Sequence, residues 1–217
     1  MTVFAAASLT DAFTEIGDAF TSANPDVDVT FNFAASSELV TQINEGAPAD
    51  VFASADQANM AKLADAGEPQ VFATNVLEIA VAPGNPLGID SVADLADADL
   101  IVVTCALEVP CGTYAAEVFT NAGVDVTPKS YEENVRAVLN KVVLGEADAG
   151  IVYATDVRAA EGDADGVEIP ADVNVVAEYP IVAVPTAGNA DAAGAFVDFV
   201  LGDAGQETLA SYGFTAP

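Results

Sequence analysis

The chain has 217 residues, 34 acids against 5 bases and no histidine, for a formal net charge of −29. Five bases cannot supply the footprint that a phosphate backbone requires, which excludes a nucleic-acid binder, and 52% apolar against 18% charged residues excludes a disordered chain. The missing imidazole excludes histidine-based zinc sites and Ser–His or Cys–His nucleophiles, leaving acid–base work to carboxylates, Tyr, Lys or Cys.

Residues 3–6 read as a strand with no basic or apolar leader before it, so no signal peptide is expected. On that reading the chain is either cytosolic or begins at a mature domain. Ser8 opens a helix running to Phe20, with Leu9, Ala12, Phe13, Ile16 and Phe20 on one face and Asp11 spaced for a capping box. Residues 27–33 alternate as a strand, Ser36-Ser37 opens a second helix, residues 49–53 form a third strand, and Asp56 precedes a helix reaching Leu63. Strand–helix alternation of this kind predicts a mostly parallel α/β sheet. Residues 77–82 are an apolar run, interrupted only by Glu78 and stopped by Pro83-Gly84-Asn85-Pro86. The alternation then resumes with a strand at 100–104, helices at 112–121 and 132–143, and a strand at 150–153. A second apolar run covers 178–184, and helices at 190–201 and 205–211 close the chain. No stretch of 18 apolar residues could cross a membrane.

The two apolar runs bracket a middle α/β section. Residues 1–80 with 181–217 are therefore expected to form one lobe and 81–180 another, with crossover strands near 77–82 and 178–184 and a ligand cleft between the lobes.

Ser8 and Ser36 each follow a strand and begin a helix, where an open α/β sheet binds ligands and free N–H groups attract anions. A serine in that place is also a routine helix cap. Cys111 and Gly112 enter a helix after another strand, Asn134-Val135-Arg136 begins the next, and Tyr153 ends a strand with a phenol, a place where packing alone would also put one. Arg136 reads as half of an ion pair, on the surface or between lobes. Cys105 and Cys111 are six residues apart, and in an exported domain they would form one disulfide. Gly162-Asp163-Ala164-Asp165-Gly166 lacks the rest of a calcium loop and reads as a turn.

Several blocks in order carry a resemblance: Phe4-Ala5-Ala6-Ala7-Ser8-Leu9, Phe33-Ala34-Ala35-Ser36-Ser37-Glu38-Leu39, Gly46-Ala47-Pro48-Ala49-Asp50-Val51-Phe52, and Ser54-Ala55-Asp56. They continue through Val109-Pro110-Cys111-Gly112, Asn134-Val135-Arg136, Gly150-Ile151-Val152-Tyr153, Glu178-Tyr179-Pro180 and Tyr212-Gly213-Phe214. Together they span nearly the whole chain, which resembles the molybdate-binding proteins of bacterial ABC transporters. The resemblance implies a two-lobed, periplasmic-binding-protein-like fold. It implies hydroxyl and N–H donation to the oxyanion from Ser8 and Ser36, backbone N–H donation from Cys111 and Val135, and a hydroxyl from Tyr153. Cys111 stands where the family often has a small residue such as Ala, a change to which a backbone donor is indifferent.

The protein implied is an extracytoplasmic binder of molybdate, and of tungstate, periplasmic or held at the cell surface by a lipid-anchored segment outside this sequence. It uses no cofactor, and molybdenum enters only within the oxyanion. Its partners are that small ligand and the membrane permease of an ABC transporter, with no nucleic acid and no second copy of the chain. The alternatives are the same fold tuned to another tetrahedral oxyanion such as sulfate, a carboxylate- or thiol-dependent enzyme, or an acidic module that binds cations.

Overall fold

The computed structural model describes residues 1–64 and 66–217. In chain order the elements are β1 (Thr2–Ala6), α1 (Thr10–Ala23), β2 (Thr30–Ala34), α2 (Ser36–Asn44), β3 (Val51–Ala53), α3 (Gln57–Met60) and β4 (Gln70–Val81). There follow β5 (Val102–Cys105), α4 (Pro110–Ala122), β6 (Ser130–Glu132), α5 (Val135–Val143), β7 (Ala149–Tyr153), α6 (Ala154–Ala159) and β8 (Asp165–Glu168). The chain ends with β9 (Val176–Ala183), α7 (Ala190–Leu201) and α8 (Asp203–Ser211). It divides into two compact units, Met1–Thr74 with Glu178–Pro217, and Asn75–Ala177. The chain passes between them twice, once within β4 and once within β9.

In the first unit β1 is the middle of three parallel strands, paired with β2 on one side and β3 on the other, and β9 runs antiparallel to β3. Apolar residues alternate across the pleat, so the sheet needs cover on both faces. On one side α1 buries Phe13, Ile16 and Phe20 beneath an aromatic cluster with Phe31, Phe72, Phe196 and Phe199. On the other, Leu39, Val40 and Ile43 of α2 pack with Phe4, Phe52, Met60 and Val182. Asp50, from one of the quoted motifs, is a structural tie: its carboxylate accepts N–H groups from Thr2 and Gly188, each at 2.7 Å.

In the second unit β5 lies between β6 and β7, all parallel, while β4 runs antiparallel to both β7 and β8. Helix α5 carries Val135, Val138, Leu139 and Val142 on its buried stripe, the spacing of an amphipathic helix. It comes so close to β7 that a Cβ on Gly150 would lie 2.6 Å from the Val138 side chain, which explains a glycine in mid-strand.

Three local expectations are corrected. Ser8 does not cap a helix: it lies in a 3₁₀ turn over Ala7–Leu9, α1 starts only at Thr10, and no capping box joins Ser8 to Asp11 because the serine hydroxyl is used elsewhere. The helix read at 132–143 starts at Val135, since Ser130–Glu132 pairs with β5 as an edge strand. The expected turn at 162–166 holds at Gly162, where φ is 97°, but Asp165 and Gly166 already belong to β8. Among the described residues no helix is long and apolar enough to cross a membrane.

Candidate functional site

In the first unit, parallel pairing fixes where the two serines fall. Ala6 of β1 is in register with Ala34 of β2, and Ser8 and Ser36 each follow two residues later. Ala5 is likewise in register with Ala53 of β3, which places Ala55 at the same end of the sheet. Both serines are buried, with 4% and 1% of their surface exposed, so their hydroxyls must be accounted for. Neither serves as a cap. Ser8 Oγ lies 3.0 Å from the hydroxyl of Tyr179 on β9. Ser36 is the first residue of α2, and its Oγ accepts the N–H of Ala55 at 2.9 Å. An amide can only donate, so the Ser36 proton is left to point elsewhere. The backbone N–H of Ser36, at the head of a nine-residue helix, has no carbonyl of that helix to meet.

In the second unit the three remaining candidates also follow the C-terminal ends of parallel strands. Helix α4 after β5 begins with Pro110, which has no N–H, and the Gly112 N–H turns back to the Val109 carbonyl at 2.9 Å. That leaves the Cys111 N–H projecting from the helix start. Gly112 is required by crowding, because a Cβ there would run into the carbonyls of Cys105 and Ala106. The Cys105–Cys111 disulfide joins the end of β5 to this first turn. After β6, Asn134 caps α5 by accepting the Ala137 N–H at 3.0 Å, so Val135 is the first helical residue and its N–H projects outward. The Asn-Val-Arg motif thus has a physical reading, a cap followed by a first-turn N–H that has no carbonyl of its own helix to meet. Tyr153 closes β7 and is buried.

The third residue of that motif corrects an expectation. Arg136 pairs with a buried partner of its own unit: its Nε lies 3.1 Å from Oδ1 of Asp156. Asp156 is fully buried, and its other oxygen accepts the Tyr153 N–H at 3.1 Å. Nearby, Glu132 is paired with Lys141 at 2.7 Å and accepts the Ser130 hydroxyl at 2.6 Å. Burial pushes the Glu132 carboxyl up, but the hydrogen bonds from Lys141 and Ser130 and the lysine charge outweigh it and hold it below the ordinary carboxylate range. These carboxylates therefore carry their own compensating charge. Among the described residues no cluster of three or more Cys, Asp or Glu could hold a metal ion.

Three residues were missed as contributors in the sequence. Tyr179 lay within a quoted block, but nothing in the sequence linked it to Ser8. Ala55 acts only through its backbone. Asp156 stands in a six-residue helix too short to show a period.

In each unit the candidate residues present N–H and O–H groups at the C-terminal ends of parallel strands. Residues 1–215 match the family described as bacterial extracellular solute-binding protein. The chain belongs to that family. It is a solute-binding protein and not an enzyme. It is 45% identical, over 99% of its length and 84% of the relative's, to the protein named molybdate-binding protein ModA in Mycobacterium tuberculosis. In fold this solute-binding protein is similar to the periplasmic molybdate-binding protein of Azotobacter vinelandii, with a TM-score of 0.86 and 19% identity over 100% of this chain and 99% of that one. It is similar also to the sulfate-binding protein SubI of Mycobacterium tuberculosis, with a TM-score of 0.89 and 21% identity over 100% of this chain and 86% of that one.

Proposed function

We propose that this protein captures molybdate, and tungstate, outside the cytoplasm and presents the oxyanion to the permease of an ABC-type uptake transporter. It works as a monomer and makes no covalent bond to its ligand. Ser8 and Ser36 supply hydroxyl and N–H donors from the first unit. The second unit supplies the N–H groups of Cys111 and Val135 and the hydroxyl of Tyr153. Similarity to a named molybdate-binding relative over almost the whole chain supports the ligand class.

The observation that carries the reading is the character of the donor set. Molybdate at neutral pH is a fully deprotonated tetrahedral dianion, so its oxygens only accept. None of the five candidate residues is acidic or basic, two N–H groups stand at helix starts, and the Ser36 oxygen already has a donor behind it. Helix ends and hydroxyls can hold a dianion without a salt bridge. Phosphate, which keeps a proton near neutrality, would need one of these hydroxyls to turn and accept it.

Thermal unfolding with molybdate, tungstate, sulfate and phosphate tests the assignment. A ligand at 100 times its dissociation constant adds about 2.7 kcal/mol. Molybdate and tungstate are expected to raise the melting temperature, and phosphate at the same concentration to raise it far less. Stabilisation by sulfate with none by molybdate or tungstate would transfer the site to sulfate.

A further inference from the structure

We infer that Tyr179 is a positioning residue for oxyanion capture: its hydroxyl donates to Ser8 Oγ and so turns the Ser8 proton toward the ligand. The inference rests on the oxyanion reading above and assigns a role to a residue outside the five donors. Tyr179 lies on β9 and is fully buried. Its ring is wedged edge-on against Phe72 and Phe214, with centroids 6.2 and 5.4 Å away, and its hydroxyl is held 3.0 Å from Ser8 Oγ.

Two hydroxyls sharing one hydrogen bond have two arrangements. If Ser8 donates to Tyr179, Ser8 offers a lone pair to whatever lies in front of it. If Tyr179 donates, Ser8 offers its proton. A deprotonated tetrahedral dianion presents only lone pairs, so the first arrangement repels it and the second binds it. A phenol, with a pKa of about 10, is also the stronger acid of the two and the better donor. Ser36 meets the same requirement by another route, because the Ala55 amide donates to its oxygen and cannot do otherwise. Each serine of the first unit thus has a donor behind it.

This arrangement bears on selectivity. Without the Tyr179 hydroxyl, Ser8 is free to rotate and accept a proton, which is what a hydrogen phosphate ion needs. Tyr179 therefore favours fully deprotonated oxyanions over protonated ones.

The test uses the full chain with Tyr179→Phe, Ser8→Ala and the double variant. Titration calorimetry at pH 7 measures molybdate and sulfate directly and phosphate by displacement, with melting curves to confirm folding. Tyr179→Phe removes one oxygen and keeps the ring. It should weaken molybdate about tenfold without weakening phosphate, so that the molybdate-to-phosphate affinity ratio falls by about tenfold or more. In the Ser8→Ala background the same substitution should change molybdate affinity by less than about twofold, since there is no proton left to direct. An unchanged ratio, equal losses for both ions, or the full tenfold loss in the Ser8→Ala background would each overturn the inference. If the parent chain binds sulfate and not molybdate, the ligand assignment fails on its own, and the sulfate-to-phosphate ratio decides the role of Tyr179 by the same criteria. If it binds no oxyanion at all, both fall.

Discussion

Replacing Arg136 by Met should be the most damaging single change near the candidate site, through Asp156. Asp156 has 0% of its side chain exposed, and the Arg136 Nε at 3.1 Å supplies the facing charge. Removing one partner of a buried ion pair costs about 3–5 kcal/mol, because the remaining charge is stranded in a medium that cannot solvate it. Two features favour the lower end of that range. Arg136 is itself 25% exposed, so water can reach its place, and Asp156 keeps the Tyr153 N–H bond. A loss of about 3 kcal/mol corresponds to a fall of roughly 6–12 °C in melting temperature for a chain of this size. Methionine keeps most of the apolar stem, so the loss reports the charge rather than a cavity. Adding Asp156→Asn removes the stranded charge while its amide oxygen can still accept the Tyr153 N–H, and should restore most of the stability. The assay is thermal unfolding of the two single variants and the double one, followed by molybdate titration. Affinity should fall in Arg136→Met, where the guanidinium no longer offsets the Asp156 charge close to Val135 and Tyr153, and recover in the double variant. A melting temperature unchanged in Arg136→Met, or a double variant no better than the single one, would refute the reasoning.

Reducing the Cys105–Cys111 disulfide, or replacing both cysteines by Ser, should cost about 2 kcal/mol by the loop-entropy relation for so short a ring, seen as a lower melting temperature in reductant; identical melting curves with and without reductant would count against it. Glu78 faces Glu168 across the β4–β8 pair, and burial first, then the Glu168 charge, raises its carboxyl above the ordinary value. A carboxyl raised on folding stabilises the fold below its unfolded value, and that contribution is lost as pH rises through the folded value. Glu78→Gln should therefore raise the melting temperature at pH 7 by the equivalent of about 0.5 kcal/mol, with the gain shrinking as pH falls toward 4; a gain that grows on acidification would reverse the sign of the argument.

Elements with strong periodicity were legible in the sequence. The helix read at 190–201 is α7 as found, Ala190–Leu201, because its apolar residues recur every three or four positions. The shortest elements were not. Ser130–Glu132 is a strand only because β5 pairs with it, and its Ser-Tyr-Glu sequence shows no apolar face. The site divides in the same way. Ser8 and Ser36 could be proposed as donors from strand–helix junctions, since parallel register alone brings such positions level. The direction of their protons could not be read, because it depends on a tyrosine 171 residues from Ser8 and on an amide 19 residues from Ser36. Arg136 was read as a member of an ion pair, but its partner is set by the packing of α5 against α6, which no local pattern announces.

The net charge of −29 looks hostile to a dianion, and the scale of each contribution shows why it need not be. Charges in the acidic coat act through water, where two unit charges 4 Å apart interact by only about 1 kcal/mol, and mobile ions screen anything beyond about 8 Å at physiological salt. Donors at hydrogen-bond distance act in a shielded setting, where charge-assisted bonds contribute about 1.5–3 kcal/mol each. A few such bonds outweigh a diffuse coat. What would defeat them is an uncompensated carboxylate close by, and the buried carboxylate nearest the donors of the second unit, Asp156, has Arg136 against it. Four of the five bases, Lys129, Arg136, Lys141 and Arg158, lie in that unit, and two of them, Arg136 and Lys141, are spent on Asp156 and Glu132 beside the strand ends that carry Val135 and Tyr153. Those two cations stand where they cancel local negative charge, which is the condition under which neutral donors could hold an oxyanion.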